Sequence, residues 1–465
     1  MLITGASLSP GVRTAIRIDG GRIACISPGL RPLRGEDVFD AAGAAVLPGL
    51  HDHHLHLLAY AAALDSVPCG PPQVTDAAAL AQALGTRAAR AGGGWLRGVG
   101  YHESVAGEID RWWLDRVAPE RPLRIQHRSG QLWIFNSAGL RSLGVGDGAG
   151  DDPFERHGGT PSGRLYGADA WLRARLGTRM PALGEASLRL ARLGITGVTD
   201  AGPDNGAGEF RHFARERAGG RLLQDVLVMG SAGLDPAWSR PGLAVGATKI
   251  HLRESALPDF GAMRERIVQS HAAGRAVAVH CVTQAELVFA VGALQAAGVR
   301  RGDRLEHASL ASPEAVALVR EAGLHVVTQP HFLFERGDAY LSAVPTQDIA
   351  HLYRARSFVI AGVPLGAGSD APYGDIDPWR AMDAALRRTS RAGRVLGADE
   401  ALDPAAVLRL YGSHPLHPGG PCRSLAAGAV ADLCVLDRPW EGLFEDLAAV
   451  RVRLTVGCGR VLHAV

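Results

Sequence analysis

ATKIHLRESALPDFGAMRERIVQSHAAGRAVAVHCVTQAELVFAVGALQAAGVRRGDRLEHAS, residues 247–309, decides the fold. Three short apolar runs, ATKIHL, AVAVHCV and DRLEHAS, alternate with two Ala-, Leu- and Arg-rich helical stretches, residues 260–274 and 284–298. Strand-then-helix units at this spacing build a parallel sheet, because only a crossover helix can return the chain to the same end. The pattern extends outward through GITGVTDAG (194–202), QDVLVMG (224–230), HVVTQPH (325–331) and VPLGAGSDA (363–371). Each run ends in polar residues, the end at which (β/α)₈ barrels place their chemistry. The expected fold is therefore α/β, a TIM-like (β/α)₈ barrel.

The two chain ends read differently. TAIRIDGGRIACI and DAAGAAVLPGL near the start, and AVADLCVLDRP and VRVRLTVGCGRVLHAV near the finish, alternate apolar and polar residues between Gly-rich turns. Neither end has enough strands for a stable sheet of its own. Residues 1–49 and 418–465 are expected to be two halves of one small β-sandwich flanking a barrel domain over 50–417. Within the barrel domain, residues from about 58 to 185 fit the repeat poorly. They carry Trp95, Tyr101, Trp112, Trp113 and Trp133. They are expected to form an insertion packed against or over the barrel mouth.

Composition excludes several classes. At 465 residues, with 47% hydrophobic and 21% charged residues and a net charge of +2, the chain has no field that favours nucleic acid or an anionic membrane. No apolar run reaches bilayer length, and the first residues lack the basic and apolar regions of a signal peptide. Six cysteines without a CxxC pair suit free thiols in a reducing, cytoplasmic compartment. One count stands out: Lys249 is the only lysine, the rest of the 49 basic residues being arginine. A guanidinium cannot lose its proton, whereas a buried amine can and then reacts with carbonyl carbon or CO₂.

His51-Asp52-His53-His54-Leu55-His56 follows the apolar run AVLPGL. On a strand His54 and His56 face one side and can ligate one metal. Alternation points Asp52 the same way, as an acceptor for a ligand imidazole, and points His51 and His53 away. Lys249, His280, His307 and Asp370 each end a later predicted strand. A single strand-end His or Asp often does no more than cap the next helix. Four such residues after an HxH pair point instead to one metal site.

These residues resemble the amidohydrolase superfamily. PGL before HDHHLH, with RLEH (304–307), QPH (329–331), GSDAPYG (368–374) and ADLCVLD (431–437), resembles its family 3, which includes N-substituted formamide deformylases. The resemblance implies a metal-dependent hydrolase of a carbon–nitrogen, non-peptide bond in a small molecule. It implies two zinc ions, one on His54 and His56 and the other on His280 and His307. Lys249, carboxylated by CO₂, would bridge them, and Asp370 would bind the first ion and act as general base and acid. Glu306 alternates away from the site and is expected as an ion-pair partner in the scaffold. Tentative substrate contacts are His331, Gln131, Trp133 and Tyr101. Two departures from the family pattern bear on the substrate: Gln131 stands where a histidine is frequent, and HLRES (251–255) replaces an acidic-Gly pair. The alternatives are a mononuclear-metal deaminase of a small heterocycle, phosphoester or lactone hydrolysis at the same two-metal site, and a non-catalytic scaffold. A homodimer is compatible with the superfamily.

Overall fold

The computed structural model describes residues 1–89, 94–148, 150–177 and 180–465. They form two compact units, one made of Met1–Leu57 with Ala182–Val465, the other of Leu58–Pro181.

The first unit is built on an eight-stranded sheet: β1 (Leu50–Leu55), β2 (Ile195–Asp200), β3 (Asp225–Gly230), β4 (Leu243–His251), β5 (Val277–Cys281), β6 (Arg304–His307), β7 (His325–Thr328) and β8 (Leu365–Ala367). Every neighbouring pair is parallel. Val277, Val279, Leu305 and Val326 are fully buried, as strands covered on both faces require. The helices between strands are started by local chemistry. Thr283 and Glu286 form a reciprocal capping box at the head of helix Gln284–Ala297, and Ser312 caps Pro313–Glu321 with Pro at its first turn. The expected (β/α)₈ architecture is what the chain adopts.

The sheet curls until its first and last strands meet. The Asp370 N–H donates to the His54 carbonyl at 2.7 Å, and the His56 N–H to that of Ala371 at 2.8 Å. The buried Asp52 carboxylate accepts the amides of His54 (3.0 Å) and Ser369 (3.1 Å) across the seam. That contradicts the expectation for Asp52. Its oxygens hold backbone together and do not face a ligand imidazole, because β8 comes so close that the Ser369 amide reaches it first. Burial raises the Asp52 carboxyl to about 6 despite these bonds. His51 and His53 do point away, bonding the Thr199 and Ser413 hydroxyls at 2.9 and 3.0 Å.

Two four-stranded sheets complete this unit. One runs Arg22–Ser27, Val12–Asp19, Leu2–Ser9, Val38–Asp40; the other runs Arg460–Ala464, Val452–Gly457, Leu433–Leu436, Val46–Pro48. They share one buried cluster, in which Ile3, Ile16 and Ile23 meet Leu433, Val435 and Leu454. The Leu58–Pro181 unit has a six-stranded mixed sheet in the order Phe154–His157, Thr160–Tyr166, Leu132–Phe135, Leu123–His127, Leu96–Tyr101, Val67–Pro68.

Gly368 makes the seam possible. A Cβ there would stand 2.3 Å from His54 N and 2.6 Å from His54 O, both backbone atoms that cannot yield. Gly368→Ala is expected to destabilise the protein by about 1–3 kcal/mol, the usual penalty of overpacking. Gly85→Ala, in a helix with nothing within 4 Å of the added carbon, is the control and should stabilise by about 0.5–1 kcal/mol. Denaturant unfolding of both variants measures the difference.

Candidate metal centre

At the C-terminal ends of these strands the imidazoles form a continuous row. Ring centroids are 5.5 Å apart for His56 and His54, 4.8 Å for His54 and His307, 4.4 Å for His307 and His280, and 4.1 Å for His280 and His251. Alternation along β1 presents His54 and His56 together. Alternation along β4 presents Lys249 and His251 together, with Lys249 in register with Ala278 and His251 with His280. Asp370 lies just beyond β8, its Oδ1 3.4 Å from His54 Nε2 and 3.2 Å from His56 Nε2. His54, His56 and Asp370 each present one donor atom within 4.8 Å of the other two.

His307 and Asp370 both have left-handed backbones, with φ of +71° and +52°. Such a conformation is costly for a residue with a Cβ, roughly 1–2 kcal/mol each. It turns a side chain out of the strand's alternation. In β6 the result is that Glu306 and its neighbour His307 both reach the site, which corrects the expectation that Glu306 faces away. Glu306 Oε2 accepts from His54 Nδ1 at 2.5 Å, while Oε1 pairs with Arg304 Nε at 2.6 Å and lies 3.9 Å from Lys249 Nζ. The expected ion pair exists, with Arg304, but inside the site.

These contacts assign the tautomers. With His54 Nδ1–H given to Glu306, and His307 Nδ1–H given to Gln329 Oε1 at 2.7 Å, each ring keeps Nε2 as a lone-pair donor. His54 Nε2 and Lys249 Nζ are buried with no hydrogen-bond partner. Burial lowers the Lys249 amine to about 8, although Glu306 opposes the shift. It lowers the His307 imidazole to about 3 and moves His280 far below the usual range. Burial alone would raise the Asp370 carboxyl, but the facing imidazoles of His54, His56 and His307 hold it well below the usual carboxylate range. The His280 and His307 imidazoles held neutral, an ionised carboxylate and a buried amine that makes no hydrogen bond are a donor set that fits divalent metal.

The structure thus brings His54, His56 and Asp370 to ligand spacing, sets His280 and His307 beside them, and puts Lys249 one rung deeper. Of the tentative substrate contacts, only His331 belongs to the unit that holds these residues. His331 is buried at the head of helix His331–Ala343, its Nε2–H given to the Ser369 carbonyl at 3.0 Å. Tyr101, Trp133 and Gln131 belong to the Leu58–Pro181 unit. The Tyr101 hydroxyl donates to Gly107 O at 2.5 Å and the Trp133 indole to Asp169 at 2.9 Å; both rings are buried in that unit's own cores. Gln131 is half-buried, its backbone N–H donating to Ser129 Oγ at 3.3 Å. Three residues were missed: Glu306 as a member of the site, Gln329 and His251. His251, two residues past Lys249 on one strand, carried a signal in plain alternation.

The family is established across nearly the whole chain: the amidohydrolase family profile matches residues 37–463. The chain belongs to the amidohydrolase family. It is 27% identical to the N-substituted formamide deformylase of Arthrobacter pascens over 91% of this chain and 90% of that one. A metal-dependent hydrolase from Pyrococcus horikoshii has the same fold at a TM-score of 0.74 and 19% identity, covering 96% and 99% of the two chains. The N-isopropylammelide isopropylaminohydrolase of Burkholderia multivorans superposes at 0.56 and 18%, covering 99% and 97%. Members of this family are divalent-metal hydrolases acting on small molecules, and this chain is an amidohydrolase with a His-His-Asp cluster of the kind they use. Among its described residues no helix is long and apolar enough to cross a membrane.

Removing a ligand's hydrogen-bond partner typically costs about 10–100-fold in metal affinity. Glu306→Gln, which keeps the shape but loses the charge facing His54 Nδ1, is expected to weaken divalent-metal binding by that factor. Titration against a chromophoric chelator measures it, and Gln329→Ala should act in the same direction through His307.

Proposed function

We propose that this amidohydrolase hydrolyses the carbon–nitrogen bond of a small N-substituted amide of the formamide class. The observation that carries the reading is the His54–His56–Asp370 cluster together with the buried amine of the only lysine, which makes no hydrogen bond. The 27% identity to a formamide deformylase over nearly both chains supports the substrate class.

In this reading His54, His56 and Asp370 would hold one divalent ion such as zinc, and His280 and His307, with Lys249 as its carbamate, would help to hold a second. Such ions supply Lewis-acid polarisation of the scissile carbonyl and acidify the attacking water. The chain's own residues do the rest. Asp370, held ionised, takes the water's proton as its oxygen attacks the carbonyl carbon, then delivers that proton to the leaving nitrogen. Glu306 and Gln329 keep His54 and His307 turned to present Nε2. Formate and an amine are the products expected from a formamide.

Carbamate formation requires the neutral amine: its lone pair attacks CO₂, a C–N bond forms and one proton leaves. With the amine lowered to about 8, the neutral fraction rises as pH passes from 7 to 9. Protein in ¹³C-bicarbonate should show a carbamate resonance that grows over this range and is absent from Lys249→Arg. Its absence from wild-type protein at pH 9 in the presence of zinc would exclude the bridge.

Purified protein is expected to hold close to two equivalents of zinc and to release formate from N-substituted formamides. Asp370→Asn should lower that rate by about 10²–10⁴-fold, the usual contribution of a general base. A second reading, a deaminase with one metal, is favoured by one observation: His54, His56 and Asp370 form a complete three-donor group without Lys249, whose nearest acid is Glu306. One equivalent of metal and ammonia release from heterocyclic amines would select it.

A further inference from the structure

β4 carries more than Lys249 to the candidate centre. Past Lys249 the chain goes on alternating: Ile250 and Leu252 are each 1% exposed, while His251 and Arg253 reach solvent. Residues two apart on an extended chain face one side, so Lys249, His251 and Arg253 share a face that runs from the buried amine to the rim. The Arg253 backbone is itself extended, with φ of −139° and ψ of 125°. His251 lies nearly flat against His280, the ring centroids 4.1 Å apart and the planes 22° from parallel. Burial above all lowers its imidazole to about 4; of the charges that bear on the ring, Lys249, Arg253 and His56 lower it and Asp370 raises it. One ring thus lies within range of both the Arg253 charge and the candidate metal ligands.

Other arginines near the centre are committed. Arg304 binds Glu306 and the His53 carbonyl, and Arg275 the carbonyls of Gly246 and Ala247. Among the described residues the Arg253 guanidinium makes no hydrogen bond or ion pair. An open guanidinium presents a planar fork that matches a carboxylate through two parallel hydrogen bonds. HLRES is also where the sequence departs from the family's frequent acidic-Gly pair, so the side chains that share the Lys249 face are an imidazole and a guanidinium. Resting on the formamide reading above, we propose that the substrate is anionic: an N-substituted formamide whose substituent ends in a carboxylate, which Arg253 pairs while the formyl group lies at the metal centre.

The probes are N-formyl ω-amino acids with one to five methylenes, each compared with its uncharged primary amide of the same shape, and the readout is formate release. In metal-loaded wild-type protein, kcat/KM for the acid should exceed that for the amide about tenfold or more at the best spacer length. The difference should lie chiefly in KM, the mark of a contact made equally in ground and transition states. Arg253→Gln should bring that ratio near one, and Arg253→Glu below one. General damage to the site lowers both members of a pair alike and leaves the ratio unmoved. The methyl-ketone acid of the same length has no bond to cleave and reads the contact without turnover: its Kd by calorimetry should rise about tenfold in Arg253→Gln. A wild-type ratio near one at every spacer length, a preference that persists in both variants, or an unchanged Kd would each overturn the proposal and leave the formamide reading standing. Formate from neither series would overturn that reading, and the anionic substrate with it.

Discussion

The seam between the first and last barrel strands is the constraint on which the site depends. Gly368 lets β8 lie against the backbone of His54, and the Asp52 carboxylate ties the His54 and Ser369 amides together across it. Asp370 then has its own amide on the His54 carbonyl, so the carboxylate reaches His54 and His56 from a backbone already bonded to theirs. Two candidate ligands 316 positions apart in sequence are placed by main-chain hydrogen bonds and need no long side chain to find each other. Shielding from water strengthens those bonds, and the same shielding raises the Asp52 carboxyl.

Around this seam the electrostatics are arranged by partners more than by distance. Glu306 is the centre of the buried network. It neutralises Arg304, orients His54 and stands near Lys249, so one carboxylate serves two cations and an imidazole. A buried charge without such partners would cost several kcal/mol. Lys249 is the member left without a hydrogen bond, and burial pushes its amine toward the neutral form. The left-handed backbones at His307 and Asp370 are a local cost located at the candidate metal centre, as strained residues commonly cluster at functional sites.

The fold was legible because parallel strands buried on both faces must be short and apolar, and their polar residues collect at one end. The runs ending at Lys249, His280, His307 and Asp370 follow that rule, and the structure sets the first three on neighbouring strands and Asp370 beside His54 and His56. What stayed hidden has physical causes. Strict alternation turns Glu306 outward, but the positive φ at His307 breaks alternation at that residue, and no periodicity signals it. Asp52 is assigned a facing partner correctly in direction but wrongly in kind, because the approach of a strand more than 300 residues later supplies a nearer donor. Tyr101 and Trp133 carry amphipathic rings that suit a pocket and a core equally; their hydroxyl and indole N–H are spent within their own unit.

The solitary lysine has a practical side. With the other 48 of the Lys and Arg residues all arginine and Lys249 only 2% exposed, the folded surface of these residues offers amine-directed reagents no lysine. Succinimidyl esters, aldehydes and reducing sugars, which decorate most enzymes at many surface lysines, would find no lysine side chain to attack here. The protein is thereby suited to withstanding glycating or aldehyde-rich surroundings that cross-link lysine-bearing catalysts.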